Sequence, residues 1–344
     1  MLSTRYPYLF APHHAAIEAT ARDFHAEGTM RDRVAALGAA GMLCSPDVRA
    51  IAVARYQLAR RAPLTDLAFI VQELGTCPLT TAGGFDREVE EARAGRSIIS
   101  FALTEPNAGS DVRAIATAAV RQGDTYRLTG TKCFISNAPE CDRAVVFAKL
   151  DGGVAAFLVD EPPASAQKVS GHSIGRLHLA DTRARLVSPK GFALAFATLE
   201  RCRPTVGGAA LGMARRALDE TCRHVSARVQ FGAPLAALPV VQLRVAEMAL
   251  EIETATLTAL HACWRRDTAG PTERTGYESA VGKVAATEAA QRVIDTAVQL
   301  HGALGVEEDS VVQGLYRDIR PLRIYEGATD VLKTVIASRW LEKT

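Results

Sequence analysis

The sequence predicts a multidomain α+β protein with a shortened N-terminal helical domain over residues 1–99, a central antiparallel β domain over 100–190 and a C-terminal helical bundle over 191–344. One observation behind this prediction is length, because 344 residues exceed the size at which a single core usually stops growing. Another is a change of pattern: apolar residues recur at helical spacing near both ends, whereas the middle carries short alternating runs. Strands and helices do not alternate, which disfavours an all-parallel α/β sheet.

The first hundred residues predict a small helical segment. Ala, Leu and Val recur at helical spacing between Pro and Gly breaks, over 14–27, 30–41, 47–60 and 64–74. The composition of the whole chain agrees with an ordered globular protein, since 48% of the residues are hydrophobic and 23% are charged.

Residues 100–190 predict a β domain of hairpins. Its short apolar or alternating runs lie at 115–121, 126–135, 144–149 and 155–159. They are separated by Gln122-Gly123-Asp124 and by Asp151-Gly152-Gly153, which accept the positive φ of tight turns. Residues 162–189 belong to this predicted β domain but carry few clear strand signals.

After Gly191 the chain is predicted to be helical to its end. The predicted helices cover 192–227, 239–267, 273–301, 308–318 and 327–341. Within the second of these, residues at a three-four spacing form one apolar stripe: Leu243, Ala246, Leu250, Leu257, Leu260 and Trp264. Helices of this length favour a bundle.

Charge and composition argue against several classes of protein. Forty basic and 38 acidic residues give a net charge of +2, far from the concentrated positive field of nucleic-acid-binding proteins. No run of about 18 apolar residues predicts a membrane span, and no secretory signal is visible. The seven cysteines include no Cys-x-x-Cys pair, and their odd number argues against a complete disulfide framework. We therefore expect reduced thiols and a cytoplasmic protein.

The common nucleotide and metal motifs are missing. The sequence has no Gly-x-Gly-x-x-Gly that opens a helix after a strand, no phosphate-binding Gly-x-x-x-x-Gly-Lys and no His-Glu-x-x-His. Its eight histidines are scattered, so we predict no metal site. Any nucleotide must be bound in another way.

Three segments carry a recognisable pattern, in this order: 101–111 (FALTEPNAGSD), 227–232 (ARVQFG) and 323–330 (RIYEGATD). The turn after Thr104 exposes backbone amides and hydroxyls, which suit the edge of a polar heterocycle or a phosphate. Arg228 follows a long helix, where an Arg is equally suited to capping carbonyls. On an α–β–α background, the ordered set resembles the acyl-CoA dehydrogenase family of flavoproteins from about residue 97 onward.

The resemblance implies non-covalent FAD as the cofactor. The residues that match the family's flavin contacts are Phe101, Leu103, Thr104, Gly109, Ser110, Phe134 and Ser136. The residues that match contacts to the pyrophosphate and adenosine end, in the family those of a neighbouring subunit, are Arg228, Phe231, Gln299 and Gly302. The resemblance therefore also implies a homodimer or homotetramer.

Glu326 is the predicted catalytic base. A Glu just before a helix also stabilises the helix dipole, which needs no chemistry. Its setting, Tyr325-Glu326-Gly327 in an apolar stretch, nevertheless matches the family's base, and a carboxylate closed under flavin and thioester has a raised pKa. The resemblance implies that Glu326 removes the α-proton of an acyl thioester while the β-hydride passes to the flavin, which yields the α,β-unsaturated thioester.

The resemblance also implies the residues that contact substrate: Ser110, Arg203, Tyr325 and Gly327. The thioester is carried by CoA or by an acyl or peptidyl carrier protein. The short N-terminal segment and 162–189 region favour the carrier protein, whose acidic surface would meet Arg176, Arg183 and Arg185. Electron-transfer flavoprotein and oxygen are the two candidate electron acceptors.

Two other functions compete with thioester dehydrogenation. A flavin monooxygenase on the same scaffold does not need the carboxylate base. A catalytically silent scaffold homologue needs neither that base nor the flavin-binding loop. Because Glu326 and the segment 104–111 are both present, the sequence favours an FAD-dependent acyl-thioester dehydrogenase.

Overall fold

A computed structural model describes the chain over residues 1–169, 172–270 and 273–341. The helices of the first hundred residues are α1 Leu2–Arg5, α2 Pro12–Asp23, α3 Met30–Ala39, α4 Val48–Arg61, α5 Pro63–Ala82 and α6 Asp86–Arg93. The predicted helices correspond to α2 through α5, whereas α6 is missed by the sequence patterns. Local capping sets two of the starts: Thr29 and Asp32 form a capping box at α3, and Asp47 accepts the Ala50 amide at α4.

The central residues form a seven-stranded sheet. Its strands are β1 Ile99–Ala102, β2 Ala118–Gln122, β3 Thr125–Ser136, β4 Arg143–Leu150, β5 Gly153–Asp160, β6 Ala164–Val169 and β7 His172–Ser188. Because β4 pairs with both β2 and β5, the pairings β4–β2–β3–β7–β5–β4 close into a ring, with β1 beside β4 and β6 beside β7. The pairings are antiparallel, as predicted, apart from the parallel β1–β4 and β2–β4.

Both predicted hairpin turns are confirmed. Gly123, with φ +60°, lies between β2 and β3, and Asp151 and Gly152, with φ +48° and +80°, join β4 to β5. Glycine adopts this left-handed backbone without steric cost, and Asp tolerates it better than most residues.

The strands β6 and β7 lie in the part of the predicted β domain, 162–189, whose sequence carries few clear strand signals. Leu177 and Leu179 are buried in β7 while His178 between them is exposed, which is the period of a strand with one buried face. Gly175 and Asp181, whose residue types are depleted in strands, interrupt this alternation in the sequence.

The C-terminal part is helical, as predicted. Its elements are α7 Gly191–Cys202, α8 Val206–Ala227, the short hairpin β8 Val229–Gln230 and β9 Ala233–Pro234, α9 Pro239–Thr268, α10 Gly276–His301, α11 Val311–Ile319 and α12 Thr329–Leu341. The single helix predicted over 192–227 is two helices, since Pro204 lies in a 3₁₀ turn, Arg203–Thr205, between α7 and α8. Over the part of the chain that the structure describes, no helix is long and apolar enough to span a bilayer.

The apolar stripe predicted on α9 does not pack against the chain along its whole length. Leu260 is buried, but Leu243 and Leu250 are 65% and 64% exposed. The residues of α9 that enter the core include Met248 and Ile252, on another face of the helix. The helix therefore carries two apolar faces, one of which is solvent-exposed in the single chain.

Contacts divide the chain into two compact units. The helical unit comprises Met1–Phe24, Asp47–Asp66 and the chain from Arg203 onward, and the sheet unit comprises His25–Pro46 and Leu67–Cys202. The helical unit has its main core among α8, α9, α10 and α11. The sheet unit buries apolar residues on both faces of its sheet and packs α7 against one of them.

Two glycines let α8 approach α4 closely in the helical unit. A β-carbon on Gly208 would lie 2.3 Å from the Ala52 carbonyl oxygen, and one on Gly212 would lie 2.2 Å from that of Tyr56. Only glycine allows this approach. It holds α4, with the buried side chain of Arg55, against the start of α8.

Candidate active site

The segment 101–111 leaves the sheet at Ala102, where β1 ends. Glu105 and Ala108 exchange backbone hydrogen bonds of 3.0 and 3.1 Å, which closes a tight turn. The Cys133 amide donates to the Thr104 carbonyl at 3.0 Å, so the turn is fixed to β3. Beyond it, Gly109 and Ser110 are exposed.

A buried ion pair between Glu105 and Lys132 stabilises this turn, and the sequence analysis did not predict it. The Glu105 carboxylate accepts the Ala116 amide at 2.6 Å, the Thr117 amide at 3.0 Å and the Lys132 ammonium at 2.7 Å. Lys132 is fully buried and also donates to the Leu103 carbonyl at 3.1 Å. Burial opposes ionisation of Glu105, but these donors outweigh it and hold its pKa below the usual range.

Phe134 presents an aromatic surface beside this turn. It lies in β3 with φ +55° and is 59% exposed, and its amide donates to Gln167 Oε1 at 2.9 Å. A left-handed aromatic residue inside a strand is strained, and such strain concentrates at binding sites. Ser136 is half-buried two residues further on, and its carbonyl accepts the Ser100 hydroxyl at 2.8 Å.

The sheet unit therefore brings together the residues predicted for the flavin on the 101–111 segment and on β3. They are Phe101, Leu103, Thr104, Gly109, Ser110, Phe134 and Ser136. An exposed aromatic face next to a tight polar turn fits a flat heterocycle with polar edges, and FAD contains such a ring.

Glu326 lies in the helical unit, in a loop between a 3₁₀ turn, Arg320–Arg323, and α12. Its φ is +54°, and that of Gly327 is +106°, so two consecutive residues have positive φ. The Glu326 carbonyl accepts Arg203 Nε at 2.8 Å, and the Gly327 carbonyl accepts Lys283 Nζ at 2.8 Å. The predicted substrate residues Arg203, Tyr325 and Gly327 are thus adjacent to the predicted base.

The Glu326 carboxylate is desolvated and incompletely bonded. Its Oε2 atom is buried and has no hydrogen-bond partner among the described residues. Burial raises the pKa of Glu326, while the charges of Arg55, Arg203 and Lys283 oppose the rise. A buried polar atom without a partner is rare in a folded chain and leaves an acceptor free for a ligand or a proton.

Arg55 is a second buried cation that the sequence reading missed. Its guanidinium forms two bonds of 2.9 Å with Asp66 and one of 3.2 Å with the Thr205 hydroxyl. Because the pair is bidentate and both side chains are buried, the Arg55 charge is largely compensated locally. In the sequence, the only signal is an Arg between apolar neighbours in α4, with Asp66 eleven residues further on.

The residues predicted for the adenosine end of FAD lie at another place in the helical unit. Arg228 caps α8, Gln299 lies in the last turn of α10, and Gly302 ends α10 with φ +60°. Stacking of His224 on His301, with ring centroids 4.4 Å apart, brings these two helix ends together. Lys283, which contacts the Glu326 loop, lies sixteen residues before Gln299 on α10. The two residues are therefore about 24 Å apart along the helix.

Phe231 is at the tip of the β8–β9 hairpin and is 95% exposed. Within the described residues, the Arg228 side chain makes no hydrogen bond or ion pair. This group is therefore distant from the Glu326 loop of the same chain and is accessible to another molecule.

A cluster of His13, His14 and Asp47 has ligand atoms within 4.8 Å of one another. The Nδ1 atom of His14 accepts the Ala11 amide at 2.8 Å, so the ring proton is on Nε2, which donates to Asp47 at 3.0 Å. A protonated nitrogen cannot ligate a metal. The cluster connects α2 to the start of α4 through hydrogen bonds between the two histidines and Asp47.

Comparisons with known proteins show the family to which the chain belongs. Residues 100–182 match the model of the acyl-CoA dehydrogenase middle domain, and 189–341 match that of the C-terminal domain. The chain is 35% identical over 327 residues to human mitochondrial short-chain specific acyl-CoA dehydrogenase, covering 89% of this chain and 78% of that protein. It is 34% identical over 268 residues to a subunit of the caffeyl-CoA reductase-Etf complex of Acetobacterium woodii, covering 72% and 70%.

Solved structures are similar over nearly the whole chain. Glutaryl-CoA dehydrogenase of Mycobacterium smegmatis superposes with a TM-score of 0.90 at 25% identity, covering 98% of this chain and 96% of that one. The fold class predicted from the sequence is confirmed, whereas the domain boundaries after residues 99 and 190 stay predictions. The chain belongs to the acyl-CoA dehydrogenase family and is an FAD-dependent oxidoreductase that acts on the CH–CH group of acyl thioesters.

Proposed function

We propose that Glu326 is the base with which this enzyme removes the α-proton of a saturated acyl thioester. The observation that carries the proposal is the buried, unpartnered Oε2 atom, whose carboxylate has a raised pKa. A general base is most effective when its pKa approaches the working pH, and burial moves a Glu in that direction. The nearby cations keep the ionised form accessible.

The backbone of the same loop supplies a second function. The amide of Glu326 donates to no acceptor among the described residues, while its carbonyl is held by Arg203. An amide oriented towards the thioester oxygen would stabilise the negative charge that develops there when the α-proton leaves. Tyr325 and Gly327 then line the same position.

In the sheet unit we assign flavin binding to the 101–111 segment, with Phe134 as the aromatic wall. When bound, FAD supplies the two-electron acceptor for the β-hydrogen. Arg228, Phe231, Gln299 and Gly302 are assigned to the pyrophosphate and adenosine end of the FAD of a second copy. A monooxygenase needs no buried base, and a silent scaffold needs neither base nor aromatic wall, so neither alternative is favoured.

A homo-oligomer, dimer or tetramer, follows from the same assignment. The exposed leucines Leu243, Leu250 and Leu257 recur every seven residues on α9, which suits packing against another helix. We expect Arg228→Ala to weaken both FAD retention and self-association. A monomer that holds stoichiometric FAD in light scattering would overturn the assignment of Arg228 and Gln299.

The thioester carrier is proposed to be CoA, with a carrier protein as the second candidate. On sequence alone, the region 162–189 is described as short. In the structure this region contains the strands β6 and β7. Arg185 is already bound to Glu88 at 2.8 Å and to Asp160 at 3.4 Å, which leaves less positive charge for an acidic carrier. Arg176 and Arg183 are exposed on β7 and still favour the second candidate.

Electron-transfer flavoprotein is the proposed acceptor, because one relative is named as part of an Etf complex, and oxygen is the alternative. A cytoplasmic location is proposed because the seven cysteines are an odd number and include no Cys-x-x-Cys pair.

Anaerobic titration of the FAD-loaded enzyme with a panel of acyl-CoA and acyl-carrier thioesters tests this function. We expect the flavin absorbance to bleach with at least one saturated thioester. Faster bleaching by an acyl group bound to a carrier protein than by the same group on CoA would make the carrier protein the first candidate. If no thioester bleaches the flavin, the proposed reaction is wrong.

A further inference from the structure

We propose that Lys283 and Arg203 act together as positioning residues that hold the base loop by its carbonyl oxygens, an arrangement named here the carbonyl clamp. The clamp consists of these two side chains and the carbonyls of Glu326 and Gly327. The inference rests on the proposed role of Glu326 and assigns to Lys283 a role in the same reaction.

Two cations from different parts of the helical unit converge on two consecutive carbonyls. Arg203 belongs to the 3₁₀ turn before α8, and its Nε lies 2.8 Å from the Glu326 oxygen. Lys283 belongs to the second turn of α10, and its Nζ lies 2.8 Å from the Gly327 oxygen. The loop is thus tied to two separate helices at adjacent peptide units.

The loop needs such support because of its backbone conformation. Glu326 has φ +54°, which a residue with a β-carbon adopts only when its surroundings impose it. Gly327 has φ +106°, and a β-carbon there would lie 2.8 Å from the Leu332 side chain. With the carbonyls fixed, the amides of Glu326 and Gly327 donate to no acceptor in the described part of the chain and remain available to a substrate oxygen.

Burying the charged ammonium group of Lys283 costs free energy that a purely structural role does not require. Its side chain is fully buried and forms no ion pair with a carboxylate among the described residues, so burial lowers its pKa to about 8. A neutral side chain would bond a carbonyl without this cost. The charge has a use if it acts on Glu326, whose ionised form it favours.

Two of the other cations around the loop, Arg55 and Arg323, are held in carboxylate pairs. The groups facing Glu326 and Lys283 are Arg55 and Asp66 on α4 and α5, Arg203 before α8, Glu288 on α10, and Arg323 and Tyr325 before the loop. Arg55 is bound to Asp66, and Arg323 to Glu288 at 2.8 Å. Because Lys283 forms no ion pair with a carboxylate among the described residues, its removal changes the charge near Glu326 without breaking such a pair.

The test compares Lys283→Met, which removes charge and donor, with Lys283→Gln, which keeps a neutral donor. Lys333→Met, an exposed lysine of α12, is the matched control, and Glu326→Gln reports on the base itself. Two quantities are measured on FAD-loaded protein: amide hydrogen exchange of a peptide covering 322–332, and single-turnover flavin reduction across pH.

For Lys283→Met we expect faster exchange in that peptide and reduction slowed about 10²-fold, the usual effect of displacing a catalytic group by about an ångström. Loss of the positive charge raises the pKa of Glu326, so the acid limb of the pH profile moves to higher pH. Lys283→Gln should restore protection and part of the rate while its acid limb stays displaced, and Lys333→Met should change neither quantity.

Wild-type exchange, rate and acid limb in a folded Lys283→Met protein would overturn the clamp. If Lys283→Met fails to fold, a wild-type rate and acid limb in Lys283→Gln would overturn it. The proposed function fails separately, if Glu326→Gln reduces its flavin at the wild-type rate. Hydrogen exchange decides the clamp even in that case, because it needs no substrate.

Discussion

Glu105 and Glu326 are two carboxylates of the same chain, each with a buried lysine close by, and they differ in how their oxygens are bonded. Glu105 accepts two amides and the ammonium of Lys132. Glu326 leaves Oε2 buried and unpartnered within the described residues, because Lys283 bonds the neighbouring carbonyl of Gly327 and not the carboxylate.

The pKa values of the two groups move in opposite directions as a result. Burial raises the pKa of both carboxyl groups, but at Glu105 the donors reverse the effect, and at Glu326 they do not. A carboxylate saturated by donors is a structural anchor with little tendency to take a proton. A buried carboxylate that has an oxygen without a hydrogen-bond donor, and whose charge is stabilised by cations that do not bond to it, is suited to proton transfer.

The largest expected effect comes from exchanging each carboxylate for its amide. Glu326→Gln should slow flavin reduction by about 10²–10⁴-fold, because a positioned base is lost, with FAD content and melting temperature close to wild type. Glu105→Gln should instead lower the free energy of unfolding by about 3–5 kcal/mol, since it leaves the Lys132 ammonium buried without its partner.

Denaturant unfolding and stopped-flow reduction measure these two quantities. Glu307→Gln, an exposed carboxylate, serves as the control for both. Slow flavin reduction in Glu105→Gln together with low stability in Glu326→Gln would contradict the comparison. So would a free energy of unfolding as low in Glu326→Gln as in Glu105→Gln.

The pH dependence of reduction sharpens the comparison. Only the ionised form of Glu326 accepts a proton, so the rate should fall as pH decreases through its pKa, by about tenfold per unit below it. Because the pKa of Glu326 is raised, this fall should begin at higher pH than the ordinary Glu value of about 4.3. Single-turnover rates measured from neutral to acidic pH give the midpoint, and a midpoint at or below the ordinary value would contradict the account.

A smaller effect is expected at the aromatic wall next to the Glu105 turn. Phe134→Ala removes an exposed ring, so the fold should be unaffected while FAD binds roughly tenfold more weakly, as expected for loss of one aromatic contact. Equilibrium titration of the apoprotein with FAD measures this, with Tyr8→Ala as an exposed aromatic control. Unchanged affinity would remove Phe134 from the proposed flavin site.

Sequence patterns predicted the parts of this molecule that depend on local chemistry. The turns at Gly123 and Asp151-Gly152 were predictable because few residues accept their positive φ, and α9 and α10 because their periodicity is long. The bounds of β7, within the predicted β domain, were not predictable because Gly175 and Asp181, whose residue types are depleted in strands, interrupt its apolar alternation.

The candidate site divides in the same way. Glu326 was predicted from a motif within one stretch of chain, whereas Arg55 and Lys283 were not, because their roles depend on partners far away in sequence. Lys283 meets Gly327 forty-four residues on, a contact that only the packing of α10 against the loop creates. The pairing of Lys132 with Glu105 across 27 residues is likewise a tertiary feature that no local motif reveals.

Solvent exchange of the α-proton tests the identity of the base most directly, because it does not require the redox step. The FAD-loaded enzyme is incubated in D₂O with an acyl thioester that bears no β-hydrogen, and deuterium incorporation at the α-carbon is followed by NMR. The account predicts catalysed incorporation by the wild type and by the Glu307→Gln control, and a loss of at least about 10²-fold in Glu326→Gln. Incorporation by Glu326→Gln at the wild-type rate would show that another group removes the proton.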